Sequence, residues 1–364
     1  MKKQLLRRIA TLLALTIVIT LAAACGGGNS SGGDSSSGGG SSSGGGSAPA
    51  ADDKIYELVF SQQDPESSIH AKIIKELWGN LIEERSGGRI KLVYGWAGSL
   101  SGVPELLDNV ENNVLDGCWA ATSQFAGRYT AISGVTLPGV GIKVDDKGAE
   151  AVWEWLHEEE PQKEIGALYL QAIYLPGDSS VYNSQRELKT IADFNGLRIR
   201  TLNPAWTVVL DNLKANPMTF NLPETYENIE KKVADGYVMD YSWSMANRAY
   251  EVAPYALDAQ LGINIASIYL SQRFLDDLPE DLRQIFYDFD SLAFAKAANA
   301  EIAKYQEEAK TNFTLTPLSN EVASEISRLS LEAREIWKGQ CEDKGYDSDS
   351  LNTRLDALLN KYVR

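Results

Sequence analysis

The sequence predicts an α/β fold built as two lobes, each a mainly parallel sheet flanked by helices. Three observations carry this. First, residues 193–241 alternate between strand-like and helical patterns. Residues 197–202 and 237–241 read as strands. Between them lie a helical run after Asn203-Pro204 and a second run opened by Pro223-Glu224 and closed by Asp235-Gly236. That punctuation is the unit of a parallel sheet. Second, the stretches PELLDNVENNVLDG (104–117) and PETYENIEKKVADG (223–236) match without a gap. Two copies so far apart indicate two lobes of similar build, since a solenoid would repeat every 20–50 residues or so. The shared Gly would end each helix by taking the left-handed turn. Third, residues 279–312 are helical in pattern with no Gly or Pro after the opening Pro279. At a rise of about 1.5 Å per residue this helix would span roughly 50 Å, longer than one small domain.

The remaining elements follow in order. Residues 56–60 read as the first strand, and Asp64-Pro65-Glu66 opens a helix with cap, N1 proline and first-turn acid. Ile69, Ile73, Ile74, Leu77 and Leu81 continue it at helical spacing until Gly87-Gly88. Residues 89–94 alternate as a strand, and 105–121 hold the first echo helix and its strand. Residues 122–128 then leave that strand at its carboxyl end. A helix at 147–164 and a strand at 168–175 precede Pro176-Gly177-Asp178, read as the first crossing between lobes. Residues 262–270 return as a strand, and helices at 319–338 and 350–362 close the chain.

The 364 residues carry a formal charge of −16, which excludes nucleic acid as a partner and a basic membrane-binding face. The N-terminus, Met-Lys-Lys-Gln-Leu-Leu-Arg-Arg followed by an apolar run to Ala24, reads as a secretory signal. The run is short for a spanning helix, which needs about 20 residues. Cys25 after Ala22-Ala23-Ala24 looks like a bacterial lipobox, although Leu21 stands one place further back than usual. Cys25 would then be the lipidated mature N-terminus. The Gly/Ser-rich stretch behind it is a flexible tether with a reach of roughly 30 Å.

Several motifs together resemble the solute-binding proteins of tripartite ATP-independent periplasmic (TRAP) transporters, the DctP-like family. They are Asp193-Phe194-Asn195-Gly196-Leu197-Arg198-Ile199-Arg200, Ala215-Asn216-Pro217, and Pro223 with Tyr226 leading to Val233-Ala234-Asp235-Gly236. Arg85-Ser86-Gly87-Gly88-Arg89-Ile90, Leu115-Asp116-Gly117 and Leu137-Pro138 belong to the same set, which covers roughly residues 56–315. The resemblance implies a two-lobed periplasmic-binding-protein-like fold with one long helix across both lobes. It divides the chain into a signal peptide (1–24), a lipidated Cys and tether (25–53), lobe I (54–177 and 267–305) and lobe II (178–266 and 306–364). It also implies an extracytoplasmic, lipid-anchored monomer that binds a small organic acid and passes it to a membrane permease.

Arg200 is the leading site candidate. Period-2 alternation places Arg198 and Arg200 opposite Leu197 and Ile199, and Arg200 falls at the carboxyl end of the strand, where open α/β sheets bind ligands. A guanidinium matches a carboxylate as a two-pronged donor. In the family, the last Arg of this motif pairs with the ligand carboxylate. The alternative is a structural ion pair, and Arg198 is read as structural or solvent-facing. Trp206, Tyr226, Met239, Tyr241 and Trp243 would form an apolar wall, with Phe125, Arg128 and Glu105 facing it from the other lobe. Core packing is the alternative for the aromatics, and a favourable helix-start charge for Glu105. Residues 177–180 lack an arginine common in the family, and Met239 stands where a polar residue is usual. Both departures point to a monocarboxylate with an apolar or aromatic body, unless Arg128 or Arg248 supplies a second cation.

No metal, cofactor or catalytic group is expected. His70 and His157 read as surface histidines without metal-spaced partners. Cys118 reads as a buried hydrophobe and Cys341 as lying in another part of the chain. A P-loop, a dinucleotide fingerprint and a nucleophile elbow are all lacking. The rival functions are a binding protein for an ABC importer and an extracytoplasmic hydrolase.

Overall fold

The computed structural model describes residues 54–364, so the signal segment, Cys25 and the tether lie outside the described residues. Strand β1 (Tyr56–Ser61) leads to α1 (Ile69–Ile73), a π-helical stretch (Ile74–Gly79) and α2 (Asn80–Arg85). This helix starts on Ser68, whose Oγ accepts from the Ala71 N–H, rather than on Asp64. Next come β2 (Ile90–Gly95), α3 (Leu106–Glu111) and β3 (Gly117–Ala121). The single helix expected at 147–164 is two, α4 (Asp146–Leu156) and α5 (Glu159–Ile165), followed by β4 (Leu168–Tyr174).

The chain then crosses to a second sheet. It contains β5 (Ser180–Asn183), β6 (Arg198–Arg200), β7 (Asn216–Met218), β8 (Gly236–Met239) and β9 (Tyr255–Asp258). Helices α6 (Pro204–Asn212), α7 (Thr225–Glu230) and α8 (Tyr241–Ala246) lie between these strands. Strand β10 (Ala266–Ser271) rejoins the first sheet, and α9 (Gln272–Asp277), α10 (Glu280–Tyr287) and α11 (Ser291–Lys310) follow. Strand β11 (Thr314–Pro317) joins the second sheet, and α12 (Asn320–Asp343) and α13 (Ser348–Tyr362) complete the chain.

The two sheets run β2-β1-β3-β10-β4 and β11-β9-β5-β8-β6-β7. Both are mixed. The strands next to the crossings, β10 and β5, run antiparallel to their neighbours, while the rest pair in parallel. The two crossing segments also bond to each other: Asp178 and Ile263 form an antiparallel bridge, and Ser179 N–H donates to the Gly262 carbonyl.

The sequence echo corresponds to one repeated turn. After α3 and after α7, a residue with positive φ, Asn113 or Lys232, ends the helix, and the next two N–H groups donate to one carbonyl, Asn109 or Asn228. The Asp of each Asp-Gly then clamps the parallel strand beside it. Asp116 Oδ2 accepts from Val59 N–H on β1, and Asp235 Oδ2 from Arg198 N–H on β6. The shared Gly therefore does not make the left-handed turn. It sits where a Cβ would collide with the neighbouring strand, 2.9 Å from the Tyr269 carbonyl at Gly117 and 2.0 Å from the Tyr182 carbonyl at Gly236.

The long helix expected at 279–312 breaks at residues 288–290. Asp290 caps a fresh helix there by accepting from the Ala293 N–H, so α10 and α11 are separate. α11 still spans the lobes. Its Phe294, Ala298 and Ile302 pack with Trp78 and Tyr174 of the first lobe, and its Ala309 packs with Tyr182 and Met239 of the second.

α12 does the same from the other side. Val322, Ile326 and Leu329 join Phe194 and Leu210, whereas Ala333, Trp337 and Cys341 join Leu106 and Trp155. Leu351, Leu355 and Leu358 of α13 lie in that first-lobe core too. The expectation that 306–364 belongs to lobe II is thereby corrected for the chain from about residue 333 onward. Cys118 and Cys341 share one core as free thiols, against the expectation that they lie apart.

Trp337 is fully packed and donates its Nε1 to the Thr130 carbonyl at 2.7 Å. We expect Trp337→Ala to lower unfolding free energy by about 3–5 kcal/mol in a denaturant titration. A loss below about 1 kcal/mol would mean that the far half of α12 does not hold the first lobe.

Candidate functional site

The carboxyl ends of β3, β6 and β8 meet between the two sheets and enclose a cavity of about 30 Å³ that adjoins a cleft of ≈ 480 Å³. Ser123, Thr136, Leu202 and Asn203 line both. Ser123 follows β3 and Asn264 precedes β10, on the first lobe. Arg200 ends β6, and Val238 and Met239 end β8, on the second.

Arg200 is 1% exposed. Its Nε donates to the Phe220 carbonyl at 3.3 Å, and its Nη2 has no hydrogen-bond partner. Burial without an opposing anion lowers its pKa to about 10. Arg198, Arg128 and Arg248 are matched. Arg198 is bidentate to Asp235 at 2.8 Å on both prongs, and this holds the Asp235 carboxyl below its usual range. Arg128 grips Glu111 and donates to the carbonyls of Glu164 and Ile165. Arg248 is exposed and pairs with Glu251. Neither Arg128 nor Arg248 lines the cavity.

Of the residues expected at the site, Arg200, Trp206 and Met239 come together around the cavity. The others do not line it. Tyr241 and Trp243 turn into the core beneath β8, edge-on to Tyr182 and Tyr237. Tyr226 lies partly exposed and donates its hydroxyl to Glu251. Phe125 packs edge-on against Tyr129 in the first-lobe core. Arg128 is held by Glu111, as above. Glu105 is exposed at the start of α3. Each was singled out by residue type near a strand end or a helix start, and the fold places it elsewhere.

The sequence reading missed the neutral polar lining: Ser123, Thr136, Ser179, Thr201, Asn203 and Asn264. Ser123 and Asn264 are tied together. Asn264 Oδ1 accepts from the Ser123 N–H and from the Ile265 N–H, and its Nδ2 donates to Ser123 Oγ at 2.9 Å. That leaves the Ser123 hydroxyl hydrogen free to donate elsewhere. Asn203 caps α6 by accepting from the Ala205 N–H, which brings that helix start to the cleft. Ser123 was within reach of sequence reasoning, because it lies in the segment leaving β3. Asn264 carried no local signal.

His70, expected on the surface, is 1% exposed. It stacks on Trp119 and shares a 2.8 Å hydrogen bond with the Tyr174 hydroxyl, and burial lowers its pKa to about 3. His157 is exposed, as expected. Among the described residues no group of His, Cys, Asp or Glu side chains is arranged to hold a metal, and no helix is long and apolar enough to cross a membrane.

A site with an unpaired buried cation should be built at the expense of stability. We expect Arg200→Met to raise the thermal unfolding midpoint of the refolded, ligand-stripped chain, and Arg128→Ala to lower it. An unchanged or lower midpoint for Arg200→Met would show that the protein already compensates the guanidinium.

Comparison with known proteins gives the following. The family model of bacterial extracellular solute-binding protein, family 7 (DctP), matches residues 60–342. The 2,3-diketo-L-gulonate-binding periplasmic protein YiaO of Escherichia coli K12 is 25% identical over 189 residues, taking in 47% of this chain and 53% of that protein. This chain thus spans about half the length of that curated relative. A TRAP solute binding protein from Rhodoferax ferrireducens T118, in complex with copurified benzoate, superposes with a TM-score of 0.77 at 22% identity, covering 85% of this chain and 98% of that one. A marine metagenome TRAP solute binding protein specific for aromatic acid ligands, in complex with metahydroxyphenylacetate, gives a TM-score of 0.78 at 19% identity, covering 85% and 100%. At these identities the two structures establish a common fold.

Proposed function

The chain belongs to family 7 of the bacterial extracellular solute-binding proteins, and from that premise we propose that it is the extracytoplasmic receptor of a TRAP transporter, binding an organic monocarboxylate between its lobes and delivering it to a membrane permease. The observation that carries this reading is Arg200, a buried guanidinium at a strand end with an unpartnered Nη2 and, among the described residues, no carboxylate paired with it. A ligand carboxylate supplies the missing charge and accepts the free prong. The Ser123 hydroxyl, oriented by Asn264, offers a donor from the opposite lobe, so one anion touches both lobes and favours their closure.

The class of acid follows from charge and lining. Among the described residues lining the cavity Arg200 is the one cation, and Arg128 and Arg248 are occupied elsewhere, so a second carboxylate held there would be desolvated without a charged partner, at a cost of several kcal/mol. The three relatives described above are named with benzoate, metahydroxyphenylacetate and 2,3-diketo-L-gulonate, each bearing one carboxylate. Trp206, Val238 and Met239 offer apolar surface worth roughly 25 cal/mol per Å² buried, and the Ser, Thr and Asn groups suit a hydroxyl or carbonyl on the same ligand.

We expect benzoate-like and hydroxylated monocarboxylates to stabilise the protein in a thermal-shift panel, and succinate and malate to do so less. Stabilisation by C4-dicarboxylates alone would overturn the ligand class. With the ligand so identified, Arg200→Ala should lose about 3–5 kcal/mol of affinity by calorimetry, more than a hundredfold. An affinity within threefold of wild type would remove Arg200 from the site.

The tether belongs to the same proposal. Lipidated Cys25 would hold the receptor at the membrane. We expect Cys25→Ser, expressed with its native signal, to shift to the soluble fraction with ligand affinity unchanged. Retention in the membrane fraction would make the apolar N-terminus the anchor instead.

A further inference from the structure

The cavity at Arg200 is too small for a whole organic acid. Its volume of about 30 Å³ holds roughly two water-sized groups, the bulk of a carboxylate. The cleft of ≈ 480 Å³ next to it has the size of a small-molecule site. The two are continuous through Ser123, Thr136, Leu202 and Asn203. Building on the receptor reading above, we propose that only the carboxylate enters the cavity, and that the body of the ligand lies in the cleft against α12. The ligand is then an elongated, hydroxylated monocarboxylate, and Gln340 of α12 reads its far end.

The first-lobe wall selects for hydroxyls by what its own groups have left to offer. Thr136 Oγ1 donates to the Ser133 carbonyl at 2.9 Å, and Ser133 Oγ donates to the Thr130 carbonyl at 2.7 Å. Both hydrogens are committed within the segment, so toward the cleft these two oxygens can only accept. Ser123 is the reverse, since its Oγ accepts from Asn264 and keeps its hydrogen. Ser123 and Thr136 stand where the cavity opens, and Ser133 lines the cleft alone. A ligand matching this order carries the carboxylate first and then groups that donate. A hydroxylated chain does so, whereas an unsubstituted ring has no O–H to give.

α12 forms the facing wall. Ala333, Ile336, Trp337 and Gln340 line the cleft at helical spacing, so one face of the helix looks into it. Ile336 is 41% exposed, an apolar side chain open to the cleft, and Gln340 is half-buried with an amide that can donate and accept. The two walls are fastened together. The Thr130 carbonyl that accepts from Ser133 also accepts from Trp337 Nε1 at 2.7 Å. Gly134 lets the segment lie flat on that ring, because a Cβ there would come within 2.7 Å of it. Beyond Gln340, Lys344 Nζ donates to the Gly127 carbonyl at 2.9 Å and bounds the cleft.

Calorimetry of the refolded, ligand-stripped full chain with glycolate, glycerate, threonate and gluconate tests this on the wild type alone. We expect affinity to rise along the series, with gluconate about tenfold tighter than glycolate and tighter than benzoate, as each added hydroxyl finds a partner. Gln340→Ala should remove most of that gain and leave glycolate unchanged, while Arg200→Ala should weaken every member. Equal affinities along the series, benzoate tighter than gluconate, or a Gln340→Ala that weakens glycolate and gluconate alike would overturn the cleft assignment. With Arg200→Ala still weakening every acid, the receptor reading would stand in each of those cases. Binding of none of these acids would overturn both.

Discussion

Everything in this molecule hangs on the chain leaving one sheet and returning to it. The two crossing segments bond to each other through the Asp178–Ile263 bridge, so the lobes share a short antiparallel ribbon. Each lobe then receives a strand that runs against its neighbours, which is why both sheets are mixed. Helices α11 and α12 reinforce that joint from two sides, each burying one end in either lobe. The strand ends that face each other across it become the walls of the cavity.

Charge is distributed around the joint according to need. Arg198 and Arg128 are saturated by carboxylates and carbonyls, and they fasten strand and helix ends within a lobe. Arg200, two residues from Arg198 and on the same strand, is left short of partners. The two arginines point to the same face by periodicity, but only Asp235, held by the Asp-Gly turn beside β6, is within reach of Arg198. A single repeated turn thus builds the strand and separates a structural arginine from a binding one. Asp64 and Asp240 show the converse, acids buried with no ion pair among the described residues.

Where local chemistry decides structure, sequence reasoning reached it. Apolar periodicity, caps and turn residues gave the α/β order and the two-lobed build. The echo of 104–117 and 223–236 became one turn with the same hydrogen bonds in both lobes, because the turn is made by neighbours in the chain. The role assigned to its glycine was wrong for a reason outside the turn. The clash that demands Gly117 and Gly236 comes from the adjacent strand. Short strands such as β5, β7 and β11 show no alternation long enough to read, and their pairing partners are what make them strands.

By itself, the sequence determined the class of fold, the strand-end position of Arg200 and the acidic surface, since all three rest on residue type and spacing. Tertiary structure decided which polar groups meet. It turned Tyr241 and Trp243 into a core, matched Arg128 with Glu111, and buried His70 against Trp119 and Tyr174. It also brought Asn264 to Ser123, 141 positions away. Burial and pairing depend on distances between residues far apart in the chain, and no periodicity records those distances.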